Sequence, residues 1–530
     1  MNTDTSVVGH LGVIGAGTMG AGIAQVSACA GIQTTLYDIS AAVLEQALER
    51  IRDSLQRLTR RGKLTDTDVE AAIRRIQTAT RLDALGNCDA IIEAAPERLE
   101  LKRELFVHLD ALCPPDVLLA SNTSSLSITE IANATRHPER CIGMHFFNPP
   151  VIMQLIEIIP GVRSSANATA RGLRLAEQLG KIAVEARDTP GFIVNRVIRP
   201  FYLEALRLLG DGVADVPTID RVMKVGGGFP MGPFELIDLV GLDVNFAVSQ
   251  TVYDSFFHPA RFRPHLIQQQ MSQAGLLGRK TGRGFYEYVD GKALGQAATE
   301  PMRTEIPQPI GIVGEGQLAS ELRLACETAG LPLVEELARA ALVIGASTGP
   351  VEVRRLAIRK ILEVVPAETE VVVHCGPYSC TELVSMLRTR AAVAGFNVVG
   401  PFSEAQLVEL APSNAGRVSA ADAGETLFNR LGKKTARVSD SSGMILGRII
   451  AAIANEGFTA LHDGLATRAD IDTAVKLGAN HPRGPLEWAE HMGLETVFQT
   501  MRTLQSEYGD AYTPSIRLRR LVQAGSAVAE

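Results

Sequence analysis

Apolar positions near the start of the chain fall into short runs separated by polar turns. Leu11–Ile14 forms the first run, Gly15-Ala-Gly-Thr-Met-Gly20 follows it directly, and Ala21–Ala30 continues with small residues at helical spacing. Thr34–Tyr37 predicts a second strand that ends at Asp38. A strand, a glycine turn, a helix and another strand in this order are typical of a βαβ unit in a parallel sheet.

After the second predicted strand the chain becomes helical and basic. The segment from Ala41 to about Ala79 carries most of the positive charge of this region: Arg50, Arg52, Arg57, Arg60, Arg61 and Lys63. Apolar runs at Ala90–Ile92, Val117–Ala120 and Ile142–Met144 then predict further strands. The pattern indicates an α/β domain interrupted by a helical excursion.

The strand pattern ends near Asp188-Thr-Pro-Gly191, and helical spacing dominates from Phe192 to about Gly275. A glycine-rich segment, Gly278–Tyr286, closes this second part. Gly295–Pro309 has no periodicity and is rich in Pro, Ala and polar residues, so it predicts a linker.

Beyond the linker the same plan begins again at Ile310, with a second glycine turn at Gly314-Glu-Gly316. From Thr129 onward, an ungapped shift of 252 residues aligns the two halves, placing Asp188 on Asp440. The glycine turns differ instead by 299, so the second copy lacks 47 residues, at the position of 41–86. The sequence therefore predicts a tandem duplication in which one copy is shortened.

Composition and charge narrow the class of protein. At 530 residues the chain is too long for one hydrophobic core, and 46% hydrophobic with 21% charged residues is typical of a folded soluble protein. We find no apolar run long enough to span a bilayer and no secretory signal. A net charge of −7 disfavours nucleic-acid binding. Seven scattered cysteines fit reduced thiols in a cytoplasm, so we expect no metal site and a cytoplasmic location.

The first glycine turn has the spacing of a dinucleotide-binding motif. Gly15 would allow the tight turn, Gly17 the approach of a pyrophosphate to the backbone, and Gly20 the packing of helix on strand. The helix that follows adds a positive field for phosphates. Asp38 would accept hydrogen bonds from a ribose 2′-OH and repel a 2′-phosphate, which favours NAD over NADP.

These patterns predict an α/β Rossmann dinucleotide-binding domain followed by an all-α domain, with the pair duplicated in tandem. We expect the Rossmann domain at 1–188 with its helical excursion at 41–86, a helical substrate and dimerisation domain at 189–294 and a linker at 295–309. A degenerate Rossmann domain at 310–439 and a second helical domain at 440–530 complete the predicted organisation.

Several further motifs accompany the glycine turn. They are Ser121-Asn-Thr-Ser-Ser125, His145-Phe-Phe-Asn-Pro149, Asp188-Thr-Pro-Gly-Phe-Ile-Val-Asn-Arg196 and Gly232-Pro-Phe-Glu235. With them, residues 8–290 resemble the NAD-dependent L-3-hydroxyacyl-CoA dehydrogenases. The whole layout is similar to long bacterial members that act on 3-hydroxyadipyl-CoA or 3-hydroxybutyryl-CoA in aromatic-acid degradation. The resemblance implies the oxidation of an (S)-3-hydroxyacyl-CoA to a 3-oxoacyl-CoA.

Oxidising a secondary alcohol requires a general base as well as a hydride acceptor. His145 lies just past a predicted strand, where ligands of such sheets bind, and Glu157 at the end of the next apolar run could hold its ring. The resemblance implies that these two form a catalytic dyad, although each could be structural. It also implies that Ser124 and Asn195 bind the substrate oxygen, where the alternative is a turn or capping role.

The resemblance places other residues near the ligands. Glu97, Lys102, Asn148 and Lys280 match positions close to the cofactor. In the basic excursion, Ser54, Arg61 and Lys63 are candidates for binding coenzyme A, Lys63 first among them, whereas the alternative is an ordinary charged helix face.

The second copy lacks the residues that this chemistry needs. Glu315 puts a carboxylate into its glycine turn, and the 252-residue shift replaces His145 by Asn397, Asn148 by Gly400 and Asn195 by Gly447, while Glu409 keeps the place of Glu157. We therefore expect one active site per chain. The second helical domain would pair with the first as an intrachain pseudo-dimer, and the chain could also form a homo-oligomer.

Two other functions fit part of the pattern. A related dehydrogenase of a free hydroxy acid or polyol, of the gulonate or carnitine type, would need no basic clamp for coenzyme A. A non-catalytic dinucleotide-sensing module would explain the degenerate copy but not the set formed by His145, Glu157, Ser124 and Asn195.

Overall fold

The structure, a computed structural model, describes residues 7–294, 305–385, 387, 391–413 and 418–526. The chain divides into two compact units. The first holds Met1–Arg196 together with Asp463–Ala479, and the second holds Val197–His462 together with Asn480–Glu530. Most of the predicted linker, residues 295–304, lies outside the described residues, and the predicted domain limits stay a prediction. Within the described ranges, no helix is apolar over the length needed to cross a membrane.

An eight-stranded sheet forms the centre of the first unit. Its strands are β1 (His10–Ile14), β2 (Gln33–Tyr37), β3 (Ile76–Ala79), β4 (Ala90–Glu93), β5 (Leu118–Ser121), β6 (Cys141–Phe146), β7 (Leu155–Pro160) and β8 (Ile182–Glu185). Their order is β3-β2-β1-β4-β5-β6-β7-β8, and only β6 and β7 pair antiparallel. The order changes direction between β1 and β4, which is where ligands of open α/β sheets bind. This is the Rossmann-type sheet that the glycine motif predicts.

Seven helices accompany this sheet: α1 (Thr18–Cys29), α2 (Ala41–Arg60), α3 (Asp66–Arg74), α4 (Leu99–Leu112), α5 (Ile128–Ala132), α6 (Ala166–Gln178) and α7 (Val194–Val197). Ser40 caps the amino end of helix α2, because its side chain accepts a hydrogen bond from the Val43 N–H. The helix buries one apolar stripe. The basic excursion is helical only as far as Arg74, and β3 follows it as an edge strand. The sequence did not predict this strand, because its four residues carry too little periodicity to be recognised.

The next part of the chain is mainly helical. It contains α8 (Arg199–Gly210), α9 (Val216–Arg221), α10 (Pro233–Val240), α11 (Leu242–Ser255) and α12 (Leu266–Gln273), with a π-helical turn at Val222–Gly226. A small hairpin of β9 (Tyr288–Val289) and β10 (Lys292–Ala293) ends it. The prediction of an all-α domain at 189–294 is therefore wrong at this hairpin, where Asp290 and Gly291 make a two-residue turn with positive φ.

A second parallel sheet lies in the second unit. Its strands are β11 (Ile310–Val313), β12 (Leu333–Val334), β13 (Leu342–Gly345), β14 (Glu370–His374), β15 (Ala392–Asn397), β16 (Leu407–Pro412) and β17 (Lys434–Arg437). Their order is β12-β11-β13-β14-β15-β16-β17, with β15 and β16 antiparallel. The helices beside it are α13 (Gln317–Thr328), α14 (Val351–Val364), α15 (Cys380–Val384) and α16 (Ser419–Arg430).

The two sheets have the same strand order except for β3, which supports the predicted duplication. Asp188 accepts hydrogen bonds from the Ile128 and Thr129 N–H groups, and Asp440 does the same from Cys380 and Thr381, 252 residues later. Between β12 and β13 the chain makes only a 3₁₀ turn, so the second copy has no counterparts of α2, α3 and β3. The missing residues are those of the basic excursion.

The last part of the chain is helical: α17 (Leu446–His462), α18 (Arg468–Ala479), α19 (Pro485–Met492), α20 (Leu494–Tyr508) and α21 (Ile516–Ala524). Within the second unit, α17 packs on α8 of the first copy. Buried Arg448 on α17 donates to Glu204 on α8, from Nε to Oε2 over 2.9 Å, and the Tyr512 hydroxyl donates to the same oxygen. Helices of both copies therefore share one core.

Helix α18 belongs to the second copy by sequence and to the first unit by packing. A Cβ at Gly478 would lie 2.8 Å from both Leu155 on β7 and Val194, and Asp463 forms an ion pair with Arg196. The matching segment of the first copy, the π-helical turn at Val222–Gly226, packs on β16 within the second unit. Each copy thus covers the sheet of the other with one corresponding segment.

Candidate active site

The glycine turn between β1 and α1 requires glycine at two positions for reasons inside the protein. Gly15 has φ +93°, and a Cβ there would lie 2.6 Å from the Ala94 carbonyl oxygen. A Cβ at Gly20 would lie 1.7 Å from the Gly15 carbonyl oxygen, so helix and turn can approach only without a side chain. Gly17 differs from both, because no atom of the described residues beyond its own stretch of chain lies within 4 Å of its Cβ position. The open space at Gly17 leaves room for a ligand against the backbone.

Asp38 holds this turn from the end of β2. Its Oδ2 accepts a hydrogen bond from the Ala16 N–H over 2.9 Å, and its Oδ1 accepts one from Ser40. Arg50 on α2 donates to the Ala16 carbonyl oxygen over 2.8 Å. The partly buried carboxylate therefore stabilises the turn from within the protein, and its contact with a ribose stays a prediction.

His145 and Glu157 are direct neighbours in the antiparallel pair of β6 and β7. The His145 Nδ1 lies 2.7 Å from Glu157 Oε2, and the Glu157 side chain is fully buried. The other oxygen of Glu157 accepts hydrogen bonds from the Ile193 and Val194 N–H groups, 2.9 Å each. Both residues lie inside strands rather than at the strand ends that the apolar runs suggest, because His and Glu interrupt the apolar pattern of buried strands.

Two aromatic rings that the sequence analysis did not single out flank the imidazole. Phe147 lies 4.5 Å and Phe192 5.9 Å from it, between ring centroids. Phe192 has φ +47°, an unusual value for a residue with a side chain. In the sequence, Pro190-Gly191 directly before Phe192 was the signal that could have predicted this constrained turn.

Ser124 and Asn195 lie close to each other in the first unit. The Asn195 Nδ2 is 3.5 Å from the Ser124 carbonyl oxygen. Ser124 belongs to a loop that Glu97 organises, since one carboxylate oxygen accepts from the Ser124 N–H and from the hydroxyls of Thr123, Ser124 and Ser125. The contact between Glu97 and this loop joins two predicted site segments.

Lys102 is fully buried beside two carboxylates. Its Nζ lies 2.7 Å from Glu93 and 3.4 Å from Glu97. Burial alone would raise the pKa of Glu97, but Lys102 and the hydrogen bonds from the serine loop hold that pKa below its usual value. Glu93 was missed in the sequence, although a carboxylate at the end of a buried strand, nine residues before a lysine, was a usable signal.

The remaining predicted residues are more exposed. Asn148 follows β6 on the surface of the first unit. Lys280 lies in the second unit, where its Nζ is 2.5 Å from Asp243. Ser54 is half-buried on α2, while Arg61 and Lys63 are exposed just after that helix ends. Among the described residues no cluster of His, Cys, Asp and Glu could hold a metal ion.

In the second copy the register pairs Asn397 with Glu409, as His145 pairs with Glu157. Glu409 accepts hydrogen bonds from the Ile445 and Leu446 N–H groups, but the Asn397 amide donates instead to the Gly443 carbonyl oxygen. Burial raises the pKa of Glu409 to about 8, and the two N–H groups offset this only in part. The second copy thus keeps the buried carboxyl group without an imidazole.

The raised pKa of Glu409 predicts a pH-dependent stability. The folded chain keeps this proton up to about pH 8, whereas the unfolded chain loses it near its ordinary value, so the group makes folding less favourable as pH rises between the two. We expect the difference in free energy of unfolding between Glu409→Gln and the unmodified chain to shift in favour of the variant as pH rises from 6 to 9. Urea denaturation at both pH values checks this, and a pH-independent difference would contradict it.

Comparison with known proteins identifies the family of this chain. The family described as 3-hydroxyacyl-CoA dehydrogenase, NAD binding domain, matches residues 10–189, and its C-terminal domain matches residues 191–288 and again 443–529. The chain is 37% identical over 516 residues to the 3-hydroxyadipyl-CoA dehydrogenase of Escherichia coli, covering 97% of this chain and 98% of that protein. A probable 3-hydroxybutyryl-CoA dehydrogenase of Bacillus subtilis is 44% identical over 278 residues, which is 52% of this chain and 96% of that protein. The crystal structure of an Escherichia coli 3-hydroxybutyryl-CoA dehydrogenase matches with a TM-score of 0.80 and 34% identity over 98% of this chain and 99% of that one.

Proposed function

Since the chain belongs to the 3-hydroxyacyl-CoA dehydrogenase family, we propose that it oxidises an (S)-3-hydroxyacyl-CoA to the 3-oxoacyl-CoA with NAD⁺, at the site around His145 and Glu157. The observation that carries this proposal is the 2.7 Å contact between the imidazole and a fully buried carboxylate. The pair lies on β6 and β7, in the unit that also holds the first glycine turn.

The first glycine turn fits NAD⁺, because Gly17 leaves the backbone open where Gly15 and Gly20 are closed by the protein itself. When bound, NAD⁺ accepts the hydride from the substrate carbon at its nicotinamide ring. Asp38 would hold the adenosine ribose, and Asn148 and Glu97 are the other proposed cofactor contacts in this unit, with Lys102 supporting Glu97. The cofactor contact of Lys280 stays a prediction from the sequence.

His145 is proposed to move the hydroxyl proton. A buried carboxylate accepts hydrogen bonds only, so Glu157 fixes the proton of the neutral imidazole on Nδ1 and leaves Nε2 to accept one. The negative charge of Glu157 then stabilises the imidazolium that forms. The backbone N–H groups of Ile193 and Val194 keep the carboxylate in place during this exchange.

Ser124 and Asn195 are proposed to bind the substrate oxygen. Both present polar side chains from segments in direct contact, and hydroxyl and amide groups stabilise charge that develops on an oxygen. Glu97 positions the Ser124 loop through four hydrogen bonds rather than by touching the reacting atoms.

We propose 3-hydroxybutyryl-CoA or 3-hydroxyadipyl-CoA as the substrate. A dicarboxylic acyl group would need a cation, and Arg196 and Arg199 are the sequence candidates. Arg196 pairs with Asp463 and is 1% exposed, while Arg199 is 3% exposed and lies over the Tyr202 ring. Both side chains are buried, and the choice between the two acyl groups is a matter for the substrate panel.

A panel of 3-hydroxyacyl-CoA thioesters, followed through NAD⁺ reduction, tests both the reaction and the acyl group. L-gulonate and L-carnitine serve as coenzyme A-free comparisons. Turnover of the thioesters alone would support the proposal, and faster turnover of either free compound would overturn it.

Replacing Gly17 by alanine separates cofactor binding from folding. The Cβ meets no protein atom and φ is −67°, so we expect the free energy of unfolding to change by about 1 kcal/mol or less. The dissociation constant of NADH should rise by about tenfold or more, because the methyl group enters the space proposed for the pyrophosphate. NADH fluorescence titration measures this, and an unchanged constant would argue against the proposed position.

Replacing Lys63 by glutamate tests the proposed contact with coenzyme A. We expect the KM for acetoacetyl-CoA to rise several-fold at low salt, because the reversed charge would repel the phosphates of coenzyme A and salt screens such an exposed charge. The kcat should change little, because this charge acts only on the phosphates nearby. Arg174→Glu, an exposed charge reversal on α6, is the matched control. Equal effects of the two variants would indicate a general effect of net charge.

We further propose that the second copy is structural, which leaves one active site per chain. Its helices pack with those of the first copy in one unit, as an intrachain pseudo-dimer would, and Asn397 cannot act as a base at neutral pH. We propose a cytoplasmic location for the enzyme. Measurement of its mass in solution tests whether the chain forms a homo-oligomer.

A further inference from the structure

A cavity of about 510 Å³ opens at the carboxyl edge of the second sheet. The start of α13, the loops after β13 and β14, the end of β15, and helices α19 and α20 line it. All of its lining residues belong to the second compact unit, and the proposed chemistry of the first copy does not use them.

Arg354 on α14 lines this cavity and is only 4% exposed. Its Nε donates to the Gly349 carbonyl oxygen over 2.9 Å, and its Nη1 donates to the carbonyl oxygens of His374 and Cys375. Nη2 lies beside Gly376, another lining residue, 3.1 Å from the Cβ position of that glycine. Among the described residues Arg354 has no carboxylate within ion-pair distance. Its charge is instead balanced by carbonyl dipoles and by the Tyr378 ring, whose centroid lies 5.4 Å from Cζ.

The corresponding position of the first copy shows what is missing. The 252-residue shift places Arg354 on Lys102, whose charge is balanced by Glu93 and Glu97. Gly345 and Gly349 stand where those two carboxylates would be. A buried cation without a counter-charge is costly, and the N–H groups of Nη2, which the three carbonyl oxygens do not engage, can donate to an oxyanion. The change from one cation with two acids to one cation with none favours an anionic ligand.

The neighbouring groups limit the ligand to a small one. Burial and the charge of Arg354 lower the pKa of His374 to about 3, so this ring is neutral at neutral pH. Glu321, Glu490 and Glu495 also line the cavity from other elements and would oppose a ligand with several charges. Gln317, the first residue of the 12-residue α13, adds an amide and the positive end of the helix.

We propose that this cavity is a second, non-catalytic ligand site, which binds a small organic anion through Arg354. The anion is a carboxylate or phosphate ester with one charged end and hydrogen-bonding groups at the other. Because Asn397 replaces the proposed base and lines the same cavity, binding there leaves the ligand chemically unchanged.

The chain has a single tryptophan, and it reports on this cavity. The Trp488 indole lies 5.6 Å from the ring of His491, which lines the cavity. Titration of the full chain with sodium lactate, glycerol 3-phosphate and inorganic phosphate, at constant ionic strength set by potassium chloride, should give a saturable change of tryptophan fluorescence with at least one anion. Response to lactate alone would identify a carboxylate ligand, and response to the two phosphates alone would identify a phosphate ligand.

Two variants make the test specific. Arg354→Gln should weaken the binding by about tenfold or more, since it removes a charge-assisted hydrogen-bonding group. Arg359→Gln, an exposed arginine on the same helix, should leave it unchanged. NADH binding should be equal in all three proteins, which shows that the first copy is intact.

If Arg354→Gln does not fold, Thr348→Asp replaces it, because Thr348 is an exposed lining residue at which a carboxylate would repel the anion. Thr348→Asn is its neutral control. A saturable signal that persists in Arg354→Gln or in Thr348→Asp would overturn the proposal. The absence of any saturable signal with all three anions would do so as well.

Discussion

Replacing His145 by alanine is expected to lower kcat by roughly 10²–10⁴-fold, the usual contribution of a positioned general base. The imidazole is the proposed acceptor of the hydroxyl proton, and a buried carboxylate 2.7 Å away orients it. NADH binding should change little, because the first glycine turn and Asp38 lie on other strands. Steady-state rates with acetoacetyl-CoA and NADH, with NADH titration alongside, measure both quantities.

His108→Ala provides the matched control, since that histidine is exposed on α4 in the same unit. The control should retain full activity. A His145→Ala variant with unchanged kcat/KM would remove the proposed mechanism. Glu157→Gln is less clean, because Glu157 also accepts the N–H groups of Ile193 and Val194, so its loss would disturb the turn before α7 as well.

Replacing Glu204 by glutamine is expected to destabilise the second unit by about 3–5 kcal/mol, the usual cost of breaking a buried ion pair. Glu204 is 2% exposed and forms ion pairs with both Arg448 and Arg207. Burial opposes its charge, but the two arginines outweigh burial and hold the pKa of Glu204 below its usual value. Without the carboxylate, Arg448, which is fully buried, would keep only Asp211 as an anionic partner.

Urea denaturation followed through Trp488, which lies in the same unit, measures this effect. Glu352→Gln, an exposed glutamate on α14, should leave the free energy of unfolding within about 0.5 kcal/mol. A loss of less than about 1 kcal/mol in Glu204→Gln would mean that the ion pairs do not hold the helices of the two copies together.

The sequence predicted much of the fold because the decisive signals were local. Gly15, Gly20 and Asp38 are required by a single turn, and the shift of 252 residues located the second copy. The strand β3 escaped recognition because four half-exposed residues at a sheet edge have no distinctive period.

The arrangement of the candidate site depended on contacts between distant segments. The sequence suggested that His145 pairs with Glu157. That the two residues lie directly opposite each other follows from the antiparallel pairing of β6 and β7, which the sequence did not predict. That Glu97 holds the Ser124 loop, and that Glu93 balances Lys102, follows from sheet order, which short patterns do not encode. Likewise, nothing in the periodicity of residues 468–479 distinguishes a helix that stays with its own copy from one that does not.

The position of α18 has a consequence for how such a chain can be divided. A protein cut within 295–304 would keep every residue proposed for catalysis, yet β7, which carries Glu157, would lose the cover that Gly478 and its neighbours provide. The amino-terminal fragment would then have to recruit an equivalent helix from a second fragment, so its association state and its activity should rise and fall together with concentration. Fusion of the two copies makes that helix available at any dilution.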